Sequence, residues 1–300
     1  MIIFVYIFLI ILPIAFILDS RNSQFSKITI TFLGALIYFL VIGLATYNND
    51  WLGYALKFEG TIPTTELFYK YLFKIFRDGG YSFKDFYLFN QLLNSLLLII
   101  FIRNFNPNVA LIIVALVLIL IGPSTSILLR FYTSFLFFIN GVTFFLYNGK
   151  KILGLILIVL SLLSHFSSII FLIFFIIHRL KMFNMSVIFL LFIAFITALS
   201  KDLLFILLNR LGYENFIYYL IGPTSTLNGG LLASLPVIPW IFLVLKTHIS
   251  IKNKNILYDK KYVILFSMSI FPILLLFLSF TIQIVLFRFI EPAIIIFVLY

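Results

Sequence analysis

The amino-acid sequence predicts an all-α fold, a polytopic bundle of transmembrane helices with about ten to eleven spans. Of its 300 residues, 63% are hydrophobic and only 10% are charged, and the mean hydropathy is +1.21. A soluble domain is typically about half apolar and about a quarter charged, so this chain has too few polar residues to cover a water-facing surface. The apolar runs lack the alternation of barrel strands, which leaves helices to satisfy the backbone groups in lipid. We therefore expect residues 1–300 to form a single integral membrane domain.

The candidate spans are ten apolar runs separated by hydrophilic gaps. They lie at 1–18, 28–46, 86–102, 109–121, 126–147, 152–177, 187–199, 231–248, 263–281 and 282–300. The first run lacks a positive n-region and a small-residue cleavage site, which favours a span over a removable signal. Cysteine is absent, which excludes a disulfide framework, a thiolate metal site and a cysteine nucleophile.

The net charge of +11 comes from Lys and Arg residues in the short gaps between runs. This distribution is typical of cytoplasmic loops of membrane proteins, and it disfavours nucleic acid as a partner. The two longer gaps, 47–85 and 200–230, have mixed charge and several aromatic residues, and we expect them to face outward.

Run 152–177 is predicted to be a broken or re-entrant helix pair. Basic residues flank both of its ends, as Lys151 and Arg179 illustrate. A single crossing would place every later basic loop outside, against the positive-inside rule. A reversal near Ser164–Ser168 keeps these loops inside, and broken helices are tolerated where they line a protein-enclosed cavity.

Segment Glu66–Phe76 in the first outward gap has the pattern of an amphipathic helix at the membrane interface. Lys70 and Lys74 lie on one face. The predicted apolar face is formed by Phe68, Tyr71, Leu72 and Ile75. Residues 202–221 have a similar, more apolar pattern.

Ionisable side chains inside the runs are the first functional candidates, because each costs about 2.5–3.5 kcal/mol at a helix centre. Arg130 opens a helix, where it either snorkels to the interface or offers a fork of donors to phosphate oxygens. His165 either makes an interhelical hydrogen bond, or serves as a proton acceptor or a donor to phosphate. Arg288 lies too deep in its run for easy snorkelling, and Glu291, one turn later, either neutralises it or has a role of its own.

Two carboxylates of the first outward gap, Asp50 and Glu66, complete the candidates. Each is either solvated or positioned to take a proton from a substrate hydroxyl. His178 and His248 lie in or beside basic loops, and we expect them to be solvated.

Several catalytic motifs are missing from the sequence. The chain has no Asp-x-Asp pair, HExxH, Walker loop or GxSxG. This disfavours metal-dependent transfer from nucleotide sugars, zinc proteolysis, ATP-driven transport and serine hydrolysis. We expect no metal and no cofactor, and an outward-facing activity or transport that handles an anionic, lipid-borne substrate.

Five short segments resemble, in order and spacing, the EpsG family of Wzy-like bacterial polysaccharide polymerases, over most of the chain. They are Asp50–Tyr54 (DWLGY), Glu66–Phe68 (ELF), Arg130 followed by Lys150 and Lys151, Leu162–Ser168 (LLSHFSS), and Arg288.

The resemblance implies a multi-pass protein of the bacterial plasma membrane that builds exopolysaccharide, capsule or O-antigen. An undecaprenyl-diphosphate-linked oligosaccharide would be the donor, and another lipid-linked repeat unit the acceptor, at the outer face. Arg130 and Arg288 would stabilise the departing diphosphate, while His165, Asp50 or Glu66 would take the acceptor proton or orient the sugar. The implied partners are the lipid bilayer, the lipid-linked substrates, and chain-length regulator and flippase proteins.

Two other activities stay open at this point. A flippase or transporter of lipid-linked oligosaccharide also needs cations in a cavity, but usually has repeated halves with paired broken helices. No second copy of the His165 segment is present. A polyprenyl-phosphate-dependent membrane glycosyltransferase would use an early acidic pair in the first outward loop, and Asp50 is compatible with it. Acyl transfer is disfavoured, since its His-plus-carboxylate motif is missing.

Overall fold

A computed structural model describes most of the chain as helices. The described residues are 24–43, 50–105, 128–200, 203, 206, 210, 234–253, 259–280, 282 and 285–300. Within these ranges every regular element is helical, which confirms the all-α prediction. The chain divides into two compact units, one ending at Phe171 and the other beginning at Leu172.

The first unit contains six α-helices within the described ranges. They are α1 Gln24–Gly43, α2 Trp51–Glu59, α3 Leu67–Asp78, α4 Phe83–Asn104, α5 Leu129–Val142 and α6 Lys151–Ser164. A π-helix, Thr143–Tyr147, extends α5, and a 3-10 helix, Phe166–Leu172, follows α6. Helix α1 packs on α4, α4 on α5, and α5 on α6. The short helices α2 and α3 lie in the gap predicted to face outward, and they contact α4 and α6 respectively.

The second unit is organised around helix α10. Its α-helices are α7 Ile173–Arg179, α8 Val187–Leu199, α9 Ile238–Asn253, α10 Lys260–Leu274, α11 Leu276–Ser279 and α12 Ile294–Leu299. A 3-10 helix, Met182–Asn184, and a π-helix, Leu286–Ile290, complete it. Helices α7, α8 and α9 all contact α10, whose Leu265, Phe266 and Ile270 are fully buried. Pro272 lies in the last turn of α10, where it lacks the backbone N–H that would donate to the preceding turn.

Three helical segments of the described chain are long and apolar enough to cross a membrane: Phe83–Asn104, Leu129–Tyr147 and Lys260–Ser279. Three shorter apolar segments are Lys151–Ser164, Phe166–Arg179 and Val187–Leu199. These segments support a membrane protein, but they do not confirm ten to eleven spans. The predicted runs 1–18 and 109–121 and most of 200–230 lie outside the described residues.

Helices α5 and α6 are antiparallel neighbours that cross at two glycines. A Cβ atom on Gly154 would lie 2.7 Å from the carbonyl oxygen of Gly141, so only glycine permits this approach. Farther along the same interface, Ser134 Oγ donates to the carbonyl oxygen of Ser161 at 2.9 Å. This register, continued by one turn, places His165 level with Arg130.

The chain reverses direction at His165. Helix α6 ends at Ser164, and His165 is extended, with φ −155° and ψ 128°. The hydroxyl of Ser168 lies 3.0 Å from the carbonyl oxygen of Ser161, whereas seven residues of continuous helix span about 10.5 Å. Phe171 then packs against Phe138, 5.2 Å between ring centres, alongside the middle of α5. The predicted reversal near Ser164–Ser168 is confirmed.

Helix α3 confirms that the predicted segment of the outward gap is a helix. Tyr71 and Ile75, assigned to that face, are each 64% exposed. The side chains that turn inward are Tyr69 and Phe73, which are 0% and 1% exposed. Phe73 packs edge-on against Phe86 of α4, with ring centres 4.7 Å apart. Apolar residues therefore occur all around α3. The aromatic rings of α2 and α4 cover Tyr69 and Phe73, and the exposed Tyr71 and Ile75 belong to the face that is predicted to lie at the membrane interface.

The expectation that His248 is solvated is wrong, because its side chain is buried. Helix α9 continues to Asn253, beyond the end of the apolar run, so His248 lies inside a helix and against α10. Its ring stacks on Phe266 with centres 3.6 Å apart, and its Nδ1 lies 3.0 Å from the hydroxyl of Tyr300. His178 is half-buried, with Nδ1 3.4 Å from Ser267 Oγ.

Candidate functional site

The centre of the candidate site is an ion pair between Arg130 and Glu66. Arg130 lies in the first turn of α5, and Glu66 immediately precedes α3, 64 residues away in sequence. The Nη1 group of Arg130 donates to Oε2 of Glu66, and the two side chains are 12% and 9% exposed. The structure therefore brings two of the sequence-predicted residues together in a largely desolvated place.

Tyr54 of helix α2 forms one side of this site. The guanidinium carbon of Arg130 lies 5.3 Å from the centre of the Tyr54 ring, a cation–π arrangement. Helix α2 is held by Trp51, which packs edge-on against Phe83 and Tyr87 of α4 with ring centres 4.8 and 4.9 Å apart. The segment DWLGY thus supplies both the anchor of α2 and the aromatic support of Arg130.

Arg130 uses only part of its hydrogen-bonding capacity in the described structure. A guanidinium has five N–H donors in a planar fork, and Glu66 accepts from Nη1. The Nε atom is buried and has no hydrogen-bond partner among the described residues. The remaining donors suit an anion with several oxygens, such as a phosphate.

Lys57 is a member of the site that the sequence analysis missed. It follows Tyr54 by three residues, which places both on one side of α2. Burial lowers the pKa of Lys57, Arg130 lowers it further, and Glu66 and Asp50 act in the opposite direction. The sequence around Lys57 has no feature that distinguishes it from a solvated lysine.

A buried polar network, also missed, positions α3 against α4 and α5. The Tyr69 hydroxyl donates to Asn90 Oδ1 at 2.8 Å, and Asn90 Nδ2 donates to Thr133 Oγ1 at 3.1 Å. Thr133 Oγ1 in turn lies 2.8 Å from Asn94 Oδ1. All four side chains are fully buried, and burial raises the pKa of Tyr69, which keeps the phenol a donor. Because Glu66 directly precedes α3, this network helps to hold it at Arg130.

The network had a sequence signal. Asn90 and Asn94 lie four residues apart inside an apolar run, which places both amides on one helix face. Buried amides need hydrogen-bond partners. Here the partners are Tyr69 of α3 and Thr133 of α5.

His165 lies at the same end of α5 as Arg130. Its ring packs edge-on against Phe131, the residue after Arg130, with ring centres 5.3 Å apart. Its Nδ1 accepts a hydrogen bond from the backbone N–H of Ser167 at 3.1 Å. A neutral imidazole that accepts at Nδ1 carries its proton on Nε2, so this ring can donate through Nε2.

The other two predicted residues are placed differently. Asp50 is exposed at the start of α2, and it interacts electrostatically with Lys57. Arg288 belongs to the second unit, where it lies partly buried in the π-helix that precedes Glu291. The first unit alone therefore contains Arg130, Glu66, His165 and Asp50.

Within the described ranges, no group of three or more His, Asp or Glu residues is placed to hold a metal ion. The side chains that the site in the first unit offers are a guanidinium, a lysine, an imidazole and two carboxylates.

Comparison with known protein families gives a match to the model described as the EpsG family, over residues 28–300. The matched region contains all five sequence-predicted site residues. Comparisons with curated proteins and with solved structures give no match.

Proposed function

The chain belongs to the EpsG family, and from this premise we propose that it is a polymerase of bacterial surface polysaccharide. It is a multi-pass protein of the plasma membrane, and its site faces outward. There it transfers an undecaprenyl-diphosphate-linked oligosaccharide onto the terminal sugar of another lipid-linked repeat unit. The observation that carries the proposal is the largely buried Arg130–Glu66 pair at the start of α5. A guanidinium held there is suited to phosphate oxygens.

The reaction needs charge stabilisation more than it needs a cofactor. A hydroxyl oxygen of the acceptor sugar bonds to the anomeric carbon of the donor, and the bond from that carbon to the diphosphate oxygen breaks. The diphosphate leaves on its lipid and gains negative charge, while the hydroxyl proton passes to a base. Arg130 stabilises the charge that develops on the leaving group, which is the kind of interaction that lowers a transition-state barrier. Neither ATP nor a nucleotide sugar enters this balance.

The remaining residues take roles that match their environments. His165 donates from Nε2 to a phosphate oxygen, because its Nδ1 already accepts from a backbone N–H. Asp50, which is exposed, is the carboxylate proposed to take the acceptor proton. Glu66 orients the guanidinium of Arg130 before the substrate binds. Arg288 is proposed as a further diphosphate contact on the basis of its position in the family pattern.

Reconstitution of the purified protein tests this function directly. Synthetic undecaprenyl-diphosphate repeat units are added to proteoliposomes without nucleotide sugar or ATP. A ladder of products spaced by one repeat unit is the expected result. If no product forms from the cognate repeat unit, the polymerase proposal is refuted, and movement of intact units across the vesicle would instead identify a flippase.

A conservative variant separates the role of the guanidinium from that of its charge. Arg130→Lys keeps the charge but loses the fork, and we expect polymerisation to fall about 100-fold or more, as for loss of a transition-state donor. The control is Arg103→Lys, an exposed position near the end of α4, which should leave the rate unchanged. Equal activity of the Arg130→Lys protein and the wild type would refute the assignment.

A further inference from the structure

Lys57 belongs to the candidate site but has no role in the reaction proposed for it. It lies half-buried on α2, on the same side as Tyr54, whose ring supports the guanidinium of Arg130. Arg130 and Glu66 are both among its electrostatic partners. In the described part of the chain, Lys57 makes no ion pair or hydrogen bond of its own. A partly desolvated ammonium group without a close carboxylate is costly unless something compensates it.

The charges around Lys57 do not balance. Two cations, Lys57 and Arg130, share one largely buried carboxylate, that of Glu66. The second carboxylate, Asp50, is exposed, and its effect is therefore screened by water and salt. The region between α2, α3 and α5 thus carries an excess of positive charge. Because this region is partly desolvated, its charge attracts an anion more strongly than the same charge would in bulk solvent.

We propose that Lys57 is the second cation of a diphosphate-binding site, and that Glu66 occupies Arg130 as an internal carboxylate until the substrate diphosphate replaces it. The inference rests on the function proposed above, and the ligand is the diphosphate of the lipid-linked oligosaccharide. A diphosphate presents two phosphoryl groups, so it can engage a guanidinium fork with one and an ammonium with the other. Displacement of Glu66 frees the Nη1 donor of Arg130 for the incoming oxygens.

Binding of inorganic pyrophosphate to the purified protein in neutral detergent tests the site without requiring turnover. Lys57→Met removes one charge-assisted contact and should weaken binding about tenfold or more. Lys57→Arg keeps the charge and should retain most of the affinity. Glu66→Gln removes the internal competitor and should bind pyrophosphate more tightly than the wild type. Isothermal titration calorimetry at two salt concentrations measures all three effects.

The matched control is Lys70→Met, which removes the same charge from an exposed position on α3 and should leave the affinity unchanged. Thermal unfolding of each variant shows whether it is folded. A folded Lys57→Met protein that binds as well as the wild type would overturn the role of Lys57, as would an equal loss in Lys70→Met. An unchanged or weaker affinity for pyrophosphate in Glu66→Gln would overturn the proposal that Glu66 occupies Arg130 until the diphosphate replaces it.

Two further measurements separate this inference from the proposed function. A short-chain polyprenyl diphosphate should displace pyrophosphate from the wild type; if it does not, the assignment to a lipid diphosphate is overturned. In proteoliposomes, a ladder formed equally by the wild type and Lys57→Met would refute the inference and leave the polymerase function standing. Pyrophosphate binding that depends on Lys57, in a protein that makes no ladder, would support the anion site and refute the polymerase.

Discussion

Substitution of Gly154 by alanine tests the packing that places His165 level with Arg130. An added Cβ atom at position 154 would lie 2.7 Å from the carbonyl oxygen of Gly141 and 2.7 Å from Cβ of Phe145. One of these contacts is a backbone atom, which cannot rotate away, so α5 and α6 must separate. Gly53 offers a matched control in α2, because nothing lies within 4 Å of the Cβ atom that alanine would add there.

The two substitutions should change stability in opposite directions. Forcing a methyl group into a packed interface typically costs about 1–3 kcal/mol, and we expect Gly154→Ala to destabilise the protein by that amount. Gly53→Ala adds helix propensity at an exposed position and should stabilise by about 0.5–1 kcal/mol. Separation of α5 and α6 also displaces His165 from Arg130, so Gly154→Ala should lower polymerisation beyond the loss of folded protein.

The free energy of unfolding is measured in mixed micelles by denaturant titration, and the rate is measured in proteoliposomes per folded molecule. A Gly154→Ala protein that is as stable and as active as the wild type would show that the glycine crossing is not tight. The placement of His165 level with Arg130 would then be refuted as well.

Three other substitutions test single contacts of the site. His165→Gln keeps an N–H donor and should remain well above His165→Ala, which should lose about 100-fold in rate; equal loss in both would indicate that the imidazole acts as a base. Tyr69→Phe strips a buried amide oxygen of its donor and should cost about 1–3 kcal/mol of unfolding free energy, whereas Tyr71→Phe, at an exposed position, should cost nothing measurable. Ser168→Ala removes a hydroxyl that bonds within the reversal and should cost about 1 kcal/mol; the control, Ser167→Ala, loses a hydroxyl with no hydrogen bond in the described residues, and an equal cost in both would contradict the assignment. Chemical denaturation measures both stability pairs.

The helices were largely predictable because hydrophobicity in a lipid-facing chain is a local property. Run 187–199 has the same bounds as helix α8, and run 86–102 lies inside α4. The reversal at His165 was predictable for a different reason, since it follows from the charges that flank the run. Arg130 was identifiable because an ionisable group inside an apolar run is costly to keep, and Glu66 because it is a carboxylate in the predicted outward gap.

Contacts between segments that are far apart in the sequence could not be predicted from local hydrophobicity or charge. The sequence offers several apolar residues around α3, and only the rings of α2 and α4 decide that Tyr69 is covered and Tyr71 is not. Asn90 is uncharged, so the high cost of an ionisable group in an apolar run does not single it out. Lys57 has the sequence context of an ordinary solvated lysine, and only its position beside Arg130 and Glu66 distinguishes it.

Composition and the spacing of charges therefore determined the class of protein, its helices and the reversal at His165, since each depends on the transfer of short segments between water and lipid. Only the tertiary structure decided that Glu66 pairs with Arg130 and that the Tyr54 ring packs against the guanidinium. It also decided that Lys57 interacts electrostatically with both members of the pair. These contacts join residues far apart in the chain, and their energies depend on distance and desolvation, which no local pattern encodes.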